Sequence, residues 1–315
     1  MGLPKPALQL LAIEHKRKAF EGTVLTLGRQ AVYATLSECE EILSGAGIAP
    51  RELPGHYETQ TQIPSWRGTR RERNTSDRAF FSLLGIDDCI ALDCSDFEHA
   101  EIVFDLNNPL EDQLHSRADI LVDGGTLEHV FDVRQALANV SLMLRPGGRV
   151  IHMSPANNFA NHGFYQFSPT LYADYYRANR FENVRVFVIE DRIRRDESVV
   201  WDIFELDTLH QPLMMTSASP RRMLTLCIAE KGKASTTGIP PIQSLYEIEF
   251  EKIANRSSDG LSSQQPKLWF NRLAKRLMPE LCYFALRSLW SRCRPHIFGD
   301  PTQKPWGLKH WKTLR

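Results

Sequence analysis

Three short apolar runs in the first half of the chain each end on an aspartate, and this constrains the fold more than any other feature. They are Cys89–Leu92, Glu101–Phe104 and Ala118–Val122, closing on Asp93, Asp105 and Asp123. Runs of this length bounded by a polar stop predict strands, and their spacing predicts parallel strands, because antiparallel hairpins need much shorter connections. Parallel strands that stop alike bring their last residues to one edge of a sheet. A similar run, Thr23–Leu27, closes on Gly28 and predicts the first strand of the set.

The segment after Asp123 predicts a helix on both counts that matter. Asp132 with Gln135 three residues on forms a capping box, and Val133, Ala136, Leu137, Val140 and Leu144 share one face at helical spacing. Pro146, Gly147 and Gly148 stop it. Strands follow at Arg149–Met153, Val184–Ile189 and Met223–Ala229, with a helix at Thr170–Asn179 whose Tyr172, Tyr175 and Tyr176 either pack or line a cleft. Further helices are expected at Ala31–Leu43 and, capped by Thr75, Ser76 or Asp77, up to Leu84. Seven strands with helices between them make an α/β fold with a doubly wound, mostly parallel seven-stranded sheet.

These elements divide the chain into an N-terminal extension (1–22), the α/β domain (23–232) with an inserted loop (49–77), a linker (233–266) and a tail (267–315). The tail, expected to be mainly helical, carries eleven Lys and Arg against two acids, with aromatics such as Trp269, Tyr283 and Trp290 interleaved. A basic amphipathic piece of that kind suits a membrane surface, its own domain or a protein partner. Arg67, Arg70, Arg71 and Arg73 in the inserted loop either clamp a phosphate or form a solvated surface. With 42% hydrophobic residues the chain can bury a core, and a net charge of zero gives no electrostatic reason to bind nucleic acid. Six scattered cysteines without a C-x-x-C pair argue against a zinc site or a disulfide framework, so no metal is expected. With no convincing signal peptide or spanning segment either, residence is expected to be cytoplasmic, membrane-peripheral if the tail lies on a lipid surface.

Four stretches, VLTLG (24–28), ALDCS (91–95), DILVDGGTLEH (119–129) and LRPGG (144–148), resemble the class I S-adenosylmethionine-dependent methyltransferases, bacterial methyltransferase-like proteins among them. The last two stretches, with the capped helix between them, are the specific part. The resemblance implies a Rossmann-like fold and S-adenosyl-L-methionine as cofactor. Gly28 suits the tight turn after the first strand, with a helix N-terminus facing the cofactor's carboxylate. Asp93 suits the ribose, where charge-assisted bonds are worth about 1.5–3 kcal/mol. The resemblance further implies Asp105 and Leu106 beside the adenine, and Asp123, Gly124 and Gly125 under the methionine portion.

The sequence also departs from the family's pattern. Thr26, Gln30 and Val32 stand where an acidic residue and two further glycines are usual, leaving Arg29 and Gln30 as candidates for the cofactor carboxylate. Methyl transfer is an in-line displacement needing alignment, exclusion of water and, for a hydroxyl or amine acceptor, a base. His129 and His162 are the candidate bases, with Glu128, Asn158 and Tyr165 as acceptor-binding residues. The amide- and hydroxyl-rich loop 157–169 suits a small polar acceptor, such as a sugar or glycoconjugate, and faintly resembles proteins of glycan assembly. The competing reading is a fold that has lost its glycine-rich turn and survives as a binding or scaffolding module. A dehydrogenase is disfavoured, because no G-x-G-x-x-G follows the first strand.

Overall fold

The computed structural model describes residues 2–53, 74–193, 198–206, 221–244, 246–247 and 309–315. Most of the inserted loop with its arginine cluster, and the tail up to residue 308, lie outside them. The chain opens with β1 (Gly2–Pro4) and α1 (Lys5–Arg17), then β2 (Val24–Leu27), β3 (Ala31–Tyr33), α2 (Leu36–Gly45) and α3 (Asp77–Leu83). It continues through β4 (Cys89–Asp93), β5 (Ile102–Val103), β6 (Ala118–Asp123), α4 (Val133–Met143) and β7 (Leu144–Asn157). The rest comprises α5 (Pro169–Ala178), β8 (Glu182–Ile193), β9 (Val199–Glu205), β10 (Arg222–Glu230) and β11 (Lys309–Leu314).

Among the described residues, nine strands form one sheet in the order β11-β9-β8-β10-β7-β6-β2-β4-β5. From β7 to β5 neighbouring strands are parallel, and the chain leaves β2 toward β4 and β5 before returning to β6 and β7. The switch point of this wound sheet therefore lies between the C-terminal ends of β2 and β6, where ligands of such folds bind. The other half corrects the expected mostly parallel, seven-stranded sheet. β10 runs antiparallel to β7 and β8, while β9 and β11 extend the edge antiparallel. Period-2 patterning predicts a strand but not its direction, so the sequence did not distinguish the two.

Two cores cover the two faces. On one, α1, α2 and α3 bring Leu8, Leu11, Leu43, Phe80 and Phe81 against Val24, Val122 and Ile151. On the other, α4 and α5 bring Leu137, Val140, Tyr172 and Tyr176 against Leu121, Val150 and Val188. The caps follow the chemistry of the sequence: Ser76 accepts from Ala79 N at 3.1 Å and Asp132 from Gln135 N at 3.0 Å. The helix expected from Ala31 begins instead at Leu36. Ala31–Tyr33 pair in parallel with Gly2–Pro4, and a reciprocal box between Thr35 and Glu38 starts α2. Beyond β10, Asn179 holds the backbone of Thr236 and Ile239, docking the first residues of the expected linker on the end of α5. Residues 309–314 are a sheet strand, and among the described residues no helix is long and apolar enough to cross a membrane.

The segment before β2 is integral to this fold. Glu14 on α1 is 1% exposed and receives Arg17 Nε at 3.0 Å and Arg185 Nη1 at 3.0 Å, while the fully buried Arg149 donates to its carbonyl at 3.2 Å. Burial alone would push the Glu14 carboxyl up, but the Arg185 and Arg17 guanidiniums more than offset this and hold it below its ordinary range. Removing one partner of such a group strands buried charge, at a cost of about 3–5 kcal/mol. Glu14→Ala should lower the urea-unfolding free energy by about that much; a loss under about 1 kcal/mol, as for an exposed pair, would show that α1 is not anchored this way.

Candidate functional site

The site is organised by one buried carboxylate. Asp123, with no exposed surface, ends β6 and accepts from Gly125 N at 3.2 Å and Thr126 N at 2.8 Å, folding the chain back on itself. Its other oxygen meets His152 Nδ1 at 2.8 Å, and His152 Nε2 meets the Tyr176 hydroxyl at 2.6 Å. A carboxylate oxygen accepts, so Nδ1 faces Asp123 as donor and Nε2 is left to pair with the Tyr176 hydroxyl. Thr126 then donates to Leu27 O at 2.6 Å, tying the turn to the tip of β2.

At that tip Gly28 adopts φ +71° and donates to Leu92 O at 2.7 Å. A Cβ there would lie 3.4 Å from Asp93 Oδ2 and 3.3 Å from Thr126 Oγ1, so the Asp93 carboxylate stands directly against the glycine turn. Its other oxygen accepts from Ser95 N at 3.2 Å. Gly28, Asp93, Asp123, Gly124 and Gly125 thus come together at the switch point. Asp105 and Leu106 are placed differently: the exposed Asp105 carboxylate folds onto Asn107, and Leu106 is packed in the α4–α5 core.

Two expectations for the first turn are corrected. No helix N-terminus follows Gly28, since α2 starts eight residues later with its Glu38 N–H already taken by Thr35. Arg29 does not turn to the glycine; its guanidinium reaches Glu101 at 2.7 Å and Asp77 at 3.3 Å. Gln30 instead occupies the crevice. Its Nε2 donates to Leu27 O at 2.7 Å and Gly28 O at 3.2 Å, while Oε1 is buried without a hydrogen-bond partner, so close to Gly124 that any side chain there would collide with it. Val32 is buried, paired with Leu3 of β1 and packed in the first core. Beyond Gly124 a cavity of about 340 Å³ opens, lined by Tyr33, Met153, Phe159, Asp191, Trp201 and Arg222 among others.

A second cluster adjoins it. Glu128 and His129 lie on a 3₁₀ turn after β6, and the loop after β7 returns to them: Phe164 N donates to Glu128 O at 2.8 Å and Gly163 packs on the same carbonyl. A Cβ at Gly163 would fall 2.8 Å from that oxygen, so only glycine permits the approach. Both Glu128 carboxylate oxygens are buried without a hydrogen bond, and Oε1 lies 3.6 Å from His162 Nε2 and 4.0 Å from His129 Nε2. Burial, and then the charge of Asp123, push the Glu128 carboxyl up to about 8. Burial lowers both imidazoles, His129 further through His162, so they are neutral above mildly acidic pH. His162 lies 5.6 Å from the Phe159 ring, which links the cluster to the cavity. The other expected acceptor groups are committed to backbone: Asn158 Nδ2 donates to Arg221 O at 2.6 Å and the Tyr165 hydroxyl to Phe131 O at 2.7 Å. Sequence reasoning missed His152, although a histidine inside the apolar run 149–153 is the kind of buried polar residue that needs a partner.

No family model and no curated protein sequence matches the chain. Solved structures similar to it include S-adenosylmethionine-dependent methyltransferases. One from Thermotoga maritima shares 14% identity over 72% of this chain and 88% of its own, with a TM-score of 0.33. The 1,6-didemethyltoxoflavin-N1-methyltransferase of Burkholderia thailandensis, solved with S-adenosylhomocysteine, shares 15% identity over 72% of this chain and 79% of its own, with a TM-score of 0.36. At that level of likeness no residue correspondence follows.

The raised Glu128 carboxyl sets a pH dependence. Between the ordinary value of 4.5 and about 8 the folded chain retains a proton that the unfolded chain releases, so this group destabilises the fold progressively as pH rises through that window. In chelator-containing buffer, Glu128→Gln should gain melting temperature relative to the parent between pH 5 and pH 9. Parallel melting curves across that range would show that Glu128 ionises normally.

Proposed function

We propose that the chain is an S-adenosylmethionine-dependent methyltransferase acting on a small polar acceptor of the sugar or glycoconjugate class. The observation that carries this is the Asp93 carboxylate set against the positive-φ Gly28 at the switch point of the wound sheet. A carboxylate there accepts ribose hydroxyls, and a glycine lets a nucleoside approach the backbone. The nucleoside half of the cofactor fits these residues. The methionine half fits only with the Gln30 amide turned away from Gly124, since Gln30 stands where that half is expected.

The cofactor, when bound, supplies an electrophilic methyl group. The protein's share is alignment: Asp93 orients the ribose, Asp123 fixes the 124–126 turn, and the cavity beyond Gly124 holds the acceptor. At about 340 Å³ that cavity is at the small end of ligand pockets, which run roughly 300–1,000 Å³. The neutral His162, beside Phe159 on the cavity wall, takes the acceptor proton, with His129 as the alternative base. A pKa kept at or below the ordinary histidine value suits a base at neutral pH.

Gln30 and the capped start of α2 favour the second reading, a binding module of the same fold without turnover. Calorimetry with S-adenosylmethionine and S-adenosylhomocysteine separates the two. On the first reading both bind, Asp93→Ala weakens binding at least about tenfold, equal to 1.4 kcal/mol, and Gln30→Ala tightens it. Absence of heat at millimolar ligand in both the parent and Gln30→Ala would reject the enzyme.

A further inference from the structure

We propose that Glu128, His129 and His162 form a binding site for a divalent transition-metal cation of the zinc class. The proposal does not depend on methyl transfer and concerns the cluster on its own. One carboxylate and two imidazoles are the donor set of many three-ligand zinc sites, in which water completes the coordination. The three donor atoms lie within 4.8 Å of one another. Tetrahedral coordination at zinc–ligand distances of 2.0–2.1 Å places donors roughly 3.3 Å apart. The separations of 3.6 and 4.0 Å from Glu128 Oε1 to His162 and His129 exceed this by about 0.3 and 0.7 Å, a gap that side-chain rotation closes on an ion.

Burial supplies the independent observation. The Glu128 side chain is fully buried, its two oxygens and His162 Nε2 all without a hydrogen bond, which is a costly state for three neighbouring polar atoms. A cation satisfies them together. Preorganisation comes from the backbone: Phe164 N and Tyr165 N both donate to Glu128 O, and Gly163 removes the side chain that would hold the two loops apart. Hence His162, more than thirty residues downstream, is delivered to a turn that already carries the other two donors. His129, with 48% of its side chain exposed, leaves the site open to water on one side. Imidazole favours zinc, cobalt, nickel or copper over the hard cations magnesium and calcium. An imidazole bound through Nε2 cannot also take a proton there, so the cation and the His162 base are alternative states of one cluster.

The test is titration of the chelator-treated full chain with Zn²⁺ by calorimetry, without cofactor, and with Co²⁺ by visible absorption. One equivalent should bind with a Kd of about 1 µM or tighter, Co²⁺ should develop tetrahedral bands, and Mg²⁺ should give no heat. His162→Asn and Glu128→Gln should each weaken Zn²⁺ by at least about 100-fold, whereas Cys94→Ser, altering an exposed thiol, should leave it unchanged. His162→Asn, partly exposed, keeps the test valid should Glu128→Gln fail to fold. No binding at 100-fold the predicted Kd, or affinity unchanged in folded His162→Asn, would overturn the site.

Discussion

The buried carboxylate of Asp123 is the constraint on which the rest of the site depends. A charge with no exposed surface is tolerable only when every oxygen is met, and here two backbone N–H groups and the His152 imidazole meet it. Those partners fix where the chain goes after β6. Gly125 and Thr126 are pulled back over the strand end, Thr126 reaches the tip of β2, and the following 3₁₀ turn presents Glu128 and His129. On the opposite side the His152–Tyr176 contact secures β7 to α5. One acid thus joins three strands and a helix at the edge where ligands of wound sheets bind.

The acids at this edge divide the work by burial. Asp123 is spent entirely on structure. Asp93, half-buried, keeps one oxygen against Gly28 while the other accepts from Ser95 N. Glu128 is buried with neither carboxylate oxygen hydrogen-bonded, and burial pushes its carboxyl up to about 8. The sequence presents all three as similar acids near strand ends, and only the packing separates the fully paired, the half-buried and the buried unbonded one.

That distinction explains what was legible beforehand. The strands ending at Asp93 and Asp123 and the Asp132 cap are local in origin, each set by a few neighbouring residues, and all appear near the positions read from sequence. By contrast, α4 stops at Met143, and both Leu144, read as part of its face, and Pro146–Gly148, read as its stop, lie in β7. Non-local pairings were not legible. Ala31–Tyr33 forms a strand because Gly2–Pro4 lies beside it, and Lys309–Leu314 because it pairs with β9. Gln30 was visible as a departure from a glycine pattern, but its insertion beside Gly124 depends on the β2 and β6 tips meeting. Likewise the polar residues of 157–169 suggested an exposed binding loop, whereas Asn158, Tyr165 and Gln166 spend hydrogen bonds on holding it. A polar side chain's partner, not its type, decides whether it can serve a ligand.

The most direct measurement is a crystal structure of the protein soaked with S-adenosylhomocysteine. Density is expected for the nucleoside at the C-terminal edge, with ribose hydroxyls within hydrogen-bond reach of Asp93 and the Gln30 side chain withdrawn from Gly124. A nucleoside bound elsewhere, or none with Gln30 still lodged between the β2 and β6 tips, would contradict this.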